Sequence, residues 1–392
     1  MPYSVVIPTR GVAVVLLLFV FIAGNILYGT NFLQQRFINN EHHYQPTNST
    51  SDNIKKDAND YPQLSRMNIL LLYADDWRHD TLSIAGNPII QTPNIDALAT
   101  QGIHFTNNCV TTSVCWISRA TLYTGQYMSR HNTTKPCCWN GHSNVGWRRQ
   151  RDSGKQRTTP TNWNELSIYS LLHKHGYDTS FIGKWGIFLP FNKSVDFEKV
   201  SDGWHYKRIR NKTWHITEKN EYDALRSLQT RPRNKPFFMT VAFYATHAVD
   251  DNVLQYMPQN SSMGLYNGNI VPLPNNDADV DAQLYRNNNN QSDNWKNGFG
   301  WDKLPYFFTE ENEARNRWHW RYDNHTKYNS MMLNLYRMAT EVDTACGRIM
   351  DELRRQGVYN NTFIIFTTDN GNFHGEHGLA DKWYPHQVRF VC

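Results

Sequence analysis

Cys115 and Arg119 lie four residues apart in the stretch CVTTSVCWISRATLYTG (109–125), which Thr124 and Gly125 close. A spacing of four brings two side chains onto one helical face, so the pattern predicts a short helix opening at Cys115 and stopping at Gly125. Amides at a helix start, with a guanidinium beside them, favour an anion at that point. The same field would lower the pKa of the Cys115 thiol. A buried cysteine beside a surface arginine gives the same letters, so the pair needs company. Asp75 and Asp76 follow the apolar run MNILLLY (67–73), and Asp369-Asn370 follows NTFIIFTT (361–368). Oxygen donors of this kind suit Ca²⁺, or Mg²⁺, better than zinc, which prefers His and Cys. Taken alone, Asp-Asp is also a helix cap and Asp-Asn-Gly a turn. Their joint appearance around an anion-binding element favours a metal site. Lys184 closes DTSFIGK (178–184), His247 closes PFFMTVAFYATH (236–247), and Lys382 lies in HGLADK (377–382).

These residues need elements to bring them together. Continuous apolar runs bounded by polar residues read as buried parallel strands at 67–73, 178–185, 236–247 and 360–371. In an open α/β sheet, ligands bind outside the carboxyl ends of the strands, which is where the acids, lysines and His247 fall. Residues 102–111 (GIHFTNNCVT) read as a further strand leading to Cys115. Helical spacing with a glycine stop marks 92–102, 165–176 and 329–357. Residues 250–325 lack periodicity and read as an excursion shaping the cleft. Residues 133–160 read as a loop carrying Arg148, Arg149, Arg151, Lys155 and Arg157, either solvated or recruiting a polyanionic glycan.

The motifs arrive in an order that resembles the sulfatase family over residues 67–389. Its signature is Cys-x-Pro-x-Arg, a short helix and Thr-Gly; Cys115, Arg119, Thr124 and Gly125 fit it, and Ile117 stands at the proline position. The family's Gly-Lys-Trp is followed by His, where this chain has Gly186; His377 and His131 also fall on family spacings. The resemblance implies an α/β fold, an alkaline-phosphatase-like sandwich with a mixed, mostly parallel central sheet flanked by helices. It implies that Cys115 is oxidised to formylglycine by a formylglycine-generating enzyme, and that Asp75, Asp76, Asp369 and Asn370 bind one Ca²⁺, with Mg²⁺ as the other option. Arg119, Lys184 and Lys382 would clamp a sulfate ester while His247 protonates the leaving alcohol. The implied activity is hydrolysis of sulfate esters, on glycans or a small sulfate ester. Two alternatives stand beside it: a phosphate or phosphonate ester hydrolase of the same superfamily, and a catalytically silent glycan-binding homologue.

The totals set bounds. At 392 residues with 19% charged residues and a formal net charge of +5, the chain suits one large α/β domain without a nucleic-acid footprint. Thirteen Trp fit either aromatic-lined grooves or a bulky core. The apolar run 11–29 after Arg10 reads as a signal anchor or a signal peptide. Residues 1–29 would then be that anchor, 30–66 a polar stalk, and 67–392 the catalytic domain. The expectation is a secretory-pathway protein, single-pass with a lumenal or extracellular catalytic domain, or secreted if the segment is cleaved. Asn48, Asn132, Asn192, Asn211, Asn260, Asn290, Asn324 and Asn360 head Asn-x-Ser/Thr triplets and agree with that route. Family members continue past the point where this chain reads HQVRFVC (386–392), which suggests a truncated or alternative end.

Overall fold

Strand β1 (Asn68–Ala74) sorts its side chains onto two faces by simple alternation. Leu70, Leu72 and Ala74 enter one apolar cluster, whereas Ile69, Leu71 and Tyr73 enter another. A strand buried on both sides needs helices on both sides, and the computed structural model has them. It describes residues 66–106, 108–133, 163–187, 194–201, 203–249, 252–274, 312–376 and 379–382.

The central sheet has the order β3-β2-β6-β1-β7, with every described pairing parallel. Its other strands are β2 (Asp178–Gly183), β3 (Phe197–Val200), β6 (Phe237–Ala242) and β7 (Thr362–Thr368). Between them in sequence lies a separate antiparallel hairpin, β4 (Tyr206–Ile209) and β5 (Lys212–His215). A second small pair, β8 (Phe373–His374) and β9 (Ala380–Asp381), follows β7.

One face is covered by α1 (Pro93–Gln101), α6 (Ile216–Thr230), α7 (Glu313–Arg321) and the long α8 (His325–Arg355). The other is covered by α2 (Cys115–Thr124) and α5 (Ile168–Lys174). Short helices α3 (Met128–His131) and α4 (Trp163–Leu166) complete the set. The expected helix over 165–176 breaks at Ser167, whose hydroxyl accepts from the Ser170 amide and caps α5.

Three expectations change. Residues 102–106 and 108–111 form no strand: Ile103 and Phe105 stand 75% and 53% exposed along irregular chain. Alternating apolar letters make a strand only where a sheet edge accepts them. Helix α6 and the β4–β5 hairpin, absent from the sequence reading, fill residues 206–230. The single-pass membrane arrangement is also corrected, since among the described residues no helix is long and apolar enough to cross a membrane. That expectation rested on the hydropathy of residues 11–29, which lie outside the described residues, and it is carried no further. Also outside them are the polar stretch 30–65, the basic residues Arg148, Arg149, Arg151, Lys155 and Arg157, His377, and the sequons at Asn48, Asn192 and Asn290.

Candidate active site

Parallel register delivers the acids as neighbours. Ala74 pairs with Thr368, so Asp75 and Asp369 leave the sheet side by side at its carboxyl end. Gly183 pairs with Ala242, which puts Lys184 and the β6 exit next to them. Gly183 has no room for a side chain, because a Cβ would fall 1.9 Å from the Ala242 carbonyl oxygen. Asp76 turns back with φ of 57°, and its amide donates to Asp369 Oδ1 at 3.2 Å. Asn370 Nδ2 donates to Asp76 Oδ1 at 2.6 Å.

Helix α2 brings its N-terminus onto this acid cluster. Cys115, Asp75 and Asp369 have donor atoms within 4.8 Å of one another, as do Asp75, Asp76 and His247. Gly125, at φ of 66°, stops the helix with its amide on Thr121 O, and Thr124 Oγ1 donates to Ala120 O at 2.6 Å. Arg119 is fully buried beneath the cluster. Its Nε donates to Asp369 Oδ2 at 2.8 Å and its Nη1 to Lys184 O at 2.6 Å, with Nη2 3.7 Å from Asp75 Oδ1. The guanidinium is thus committed to the cage, with Tyr73 packed 4.7 Å from it. Lys184 Nζ bonds Asp75 Oδ2, and Lys382 Nζ bonds Asp76 Oδ1. His247 Nδ1 donates to Ala248 O at 2.5 Å, which leaves Nε2 facing Asp76 Oδ2 at 3.6 Å.

Burial and charge set the protonation. Burial, then Asp369, raises the Asp75 carboxyl well above the usual range, even with Lys184 and Arg119 nearby. Burial acts the same way on Asp369, but Arg119 together with Lys184 and Lys382 outweighs it and holds that carboxyl low. Burial, then Lys184 and Lys382, pushes His247 well below its ordinary value. The Cys115 thiol is raised, contrary to the lowering expected from a helix start. Burial is the main cause, and Asp75 and Asp369 add to it against Lys184 and Lys382.

The donor set fits a hard divalent cation. Asp75 Oδ1, Asp76 Oδ2 and Asn370 Oδ1 are buried oxygens without a hydrogen-bond partner. Burying such atoms unpaired is costly, and an oxygen-seeking cation would satisfy all three.

Every proposed catalytic and metal-site residue therefore gathers in one pocket: Asp75, Asp76, Cys115, Arg119, Lys184, His247, Asp369, Asn370 and Lys382. His131 does not show that association. Its Nδ1 accepts from the Thr133 amide at 3.2 Å and its Nε2 lies 3.1 Å from Thr121 Oγ1, a local brace between α3 and α2. Asn132, Asn211, Asn260, Asn324 and Asn360 are all exposed. Sequence reasoning missed the supports. Asp381, at φ of 72°, accepts from Arg317 Nη1 at 2.5 Å and Arg321 Nη1 at 3.1 Å, immediately before Lys382. Arg321 Nε also donates to Gln255 Oε1 at 2.5 Å. Arg78 bonds Asp80 and Glu376, tying the β1 exit to the segment between β8 and β9. Helical spacing of Arg317 and Arg321 was the available signal, since residues four apart share a face.

Comparison with known proteins follows the same lines. A family model described as Sulfatase matches residues 67–390. An N-acetylglucosamine-6-O-sulfatase of Bacteroides thetaiotaomicron is 26% identical over 373 residues, covering 83% of this chain and 62% of that relative. The chain thus spans about three fifths of that relative's length. A solved structure of a protein in complex with its substrate D-glucosamine-2-N,6-O-disulfate superposes with a TM-score of 0.59 at 23% identity, covering 83% of this chain and 69% of that one. A phosphonate monoester hydrolase of Agrobacterium radiobacter gives a TM-score of 0.51 at 21% identity, covering 82% and 66%. At these identities the structural likenesses speak for the fold.

Proposed function

The chain belongs to the sulfatase family, and we propose on that footing that it hydrolyses sulfate esters carried by glycans. One observation carries the reading: Cys115 heads α2 against Asp75 and Asp369, with three buried cations, Arg119, Lys184 and Lys382, bonded into the same acid cluster. A monoanionic ester group needs this density of positive charge to enter a dry pocket.

Asp75, Asp76, Asp369 and Asn370 would hold Ca²⁺, with Mg²⁺ as the alternative. The ion would supply positive charge toward the ester's oxygens. Cys115, matured to formylglycine by a formylglycine-generating enzyme, would supply the nucleophilic oxygen of its hydrate. The other groups belong to the chain itself. Arg119 fixes the orientation of Asp369 and of the Lys184 backbone. Lys184 and Lys382 neutralise Asp75 and Asp76 and lie beside the ester oxygens. His247 exchanges its proton at Nε2, because Nδ1 is held by Ala248 O. Burial and two ammonium groups keep it as the neutral imidazole at rest, so it would have to take up a proton at Nε2 before giving it to the leaving alcohol. The exposed sequons at Asn132, Asn211, Asn260, Asn324 and Asn360 would be the positions open to glycosylation.

The test uses paired aryl sulfate and aryl phosphate substrates with the purified chain. Sulfate release that disappears in Cys115→Ser supports the proposal, and faster phosphate release would move the assignment to a phosphate or phosphonate ester hydrolase. Mass spectrometry of the tryptic peptide around Cys115 identifies the aldehyde. An unmodified thiol together with inertness on both substrates would favour a silent glycan-binding protein.

A further inference from the structure

With His247 protonating the leaving alcohol, the remainder of a glycan substrate lies on the His247 side of the cleft. A chain of rings leads away from that side. His247 lies 5.1 Å from the Tyr244 ring, Tyr244 lies 5.2 Å from His205, and His205 stacks on His215 at 6.0 Å. His205 and His215 form the foot of the β4–β5 hairpin, anchored where Tyr206 donates to Pro258 O at 2.9 Å and His215 Nε2 meets Met257 O at 3.1 Å. Burial, then the neighbouring His215, pushes His205 down to about 3, and burial pushes His215 down to about 4, so the foot is uncharged near neutral pH.

Above that neutral foot the hairpin is strongly basic. Residues 203–217 contain Lys207, Arg208, Arg210 and Lys212 and no carboxylate. Register places Lys207 opposite Trp214 and Ile209 opposite Lys212 on one face. The Lys212 ammonium lies 3.4 Å from the centre of the Trp214 ring, Lys219 of α6 lies 5.7 Å from it, and Tyr222 packs against it at 5.3 Å. Glu218 reaches Lys212 at 3.1 Å and Asp223 bonds Lys219. Exposed pairs of the first kind are weak and exchange readily for a stronger anion. Arg208, Arg210 and Lys212 are exposed. Cations interleaved with aromatic faces suit a sulfated sugar, whose sulfates meet the cations while its C–H face covers the rings.

We propose that the β4–β5 hairpin binds sulfates on the sugars next to the one being desulfated, so that the substrate is a polysulfated oligosaccharide. This rests on the sulfate-ester reading, but its test does not depend on turnover. Fluorescence anisotropy with a labelled heparin hexasaccharide compares the parent chain with Arg208→Gln/Arg210→Asn/Lys212→Gln. Both carry Asn211→Gln, so that no glycan at the hairpin tip intervenes. Asn at position 210 suits the left-handed backbone there, at φ of 45°. Three lost ion contacts should weaken binding by about tenfold and flatten its salt dependence. Hydrolysis of a small aryl sulfate should be unchanged in the variant. A control variant, Lys174→Gln/Arg226→Gln/Lys235→Gln, removes three exposed cations elsewhere and should bind like the parent. Equal affinity of parent and hairpin variant, no binding by the parent, or an equal loss in the control overturns the hairpin proposal. Inertness of the parent toward aryl sulfate overturns the sulfatase reading instead.

Discussion

Asp75 sits at the crossing of the site's interactions: Lys184 bonds one oxygen, Arg119 approaches the other, and Asp369 stands beside it. Its raised pKa reflects burial first, with the charge of Asp369 adding to it against Lys184 and Arg119. A bound divalent cation would favour the ionised carboxylates, so Asp75→Ala and Asp369→Ala should abolish both activity and the stabilisation by Ca²⁺. A thermal melt with Ca²⁺ and with chelator checks this. At saturating Ca²⁺ the parent should gain about 3 kcal/mol or more over the chelated form; an equal gain in both variants would refute the assignment. Gly186 is the second informative residue. At φ of 71°, a Cβ there would fall 2.8 Å from Arg119 Cδ. The position therefore holds no histidine unless Arg119 moves. Gly186→Ala should cost about 1–2 kcal/mol of stability from backbone strain. By displacing Arg119 it should also lower kcat about tenfold or more. Wild-type kcat in a folded Gly186→Ala protein would show that Arg119 tolerates the shift.

At the scale of elements, the site depends on a buried clasp between α7 and β9. Arg317 and Arg321, one turn apart, grip Asp381, and the next residue is Lys382. Arg321 also holds Gln255 in the loop beyond His247. Two guanidinium groups outweigh burial and keep the Asp381 carboxyl ionised at any working pH. Replacing it by a neutral amide removes the carboxylate that the two guanidinium groups share, a change that costs about 3–5 kcal/mol in comparable buried pairs, while Arg317 keeps Glu313 at 2.6 Å. Asp381→Asn should lower the melting temperature and reduce activity by releasing Lys382. The activity loss should not add to that of Lys382→Arg in a double-mutant cycle. Fully additive losses would mean that the clasp stabilises the fold without positioning Lys382.

At the scale of the whole molecule, α8 packs against one face of the sheet and also carries Glu341 inward, where its carboxylate accepts from the Gln259 amide at 2.7 Å and lies 3.7 Å from His215 Nε2. Desolvation raises this carboxyl to about 7. A folded-state pKa above the unfolded value of about 4.3 means that the native state binds the extra proton between those values. The associated stability is full below about pH 4 and is lost as pH rises through about 7. Melting temperature should therefore fall by a few degrees between pH 5 and pH 8, and Glu341→Gln should flatten that fall. A slope identical in the variant would place the titration elsewhere.

The fold class, the strands that deliver Asp75-Asp76, Lys184 and Asp369-Asn370, and the helix from Cys115 to Thr124 were legible from the chain alone, whereas the strand expected over 236–247 stops at Ala242, short of His247. Their signals are local: apolar runs of strand length, a four-residue spacing and a glycine able to take positive φ. Tertiary structure decided the rest, because it depends on what arrives from far along the chain. The thiol of Cys115 is raised rather than lowered because burial and two carboxylates, from positions 75 and 369, converge on it. The strand expected over 102–111 found no sheet edge, and its described residues, 102–106 and 108–111, run as irregular chain. The α6 helix and the basic hairpin gave weaker patterns and were missed. The Asp381 clasp joins residues 60 and 64 positions apart, and no local period announces such a contact.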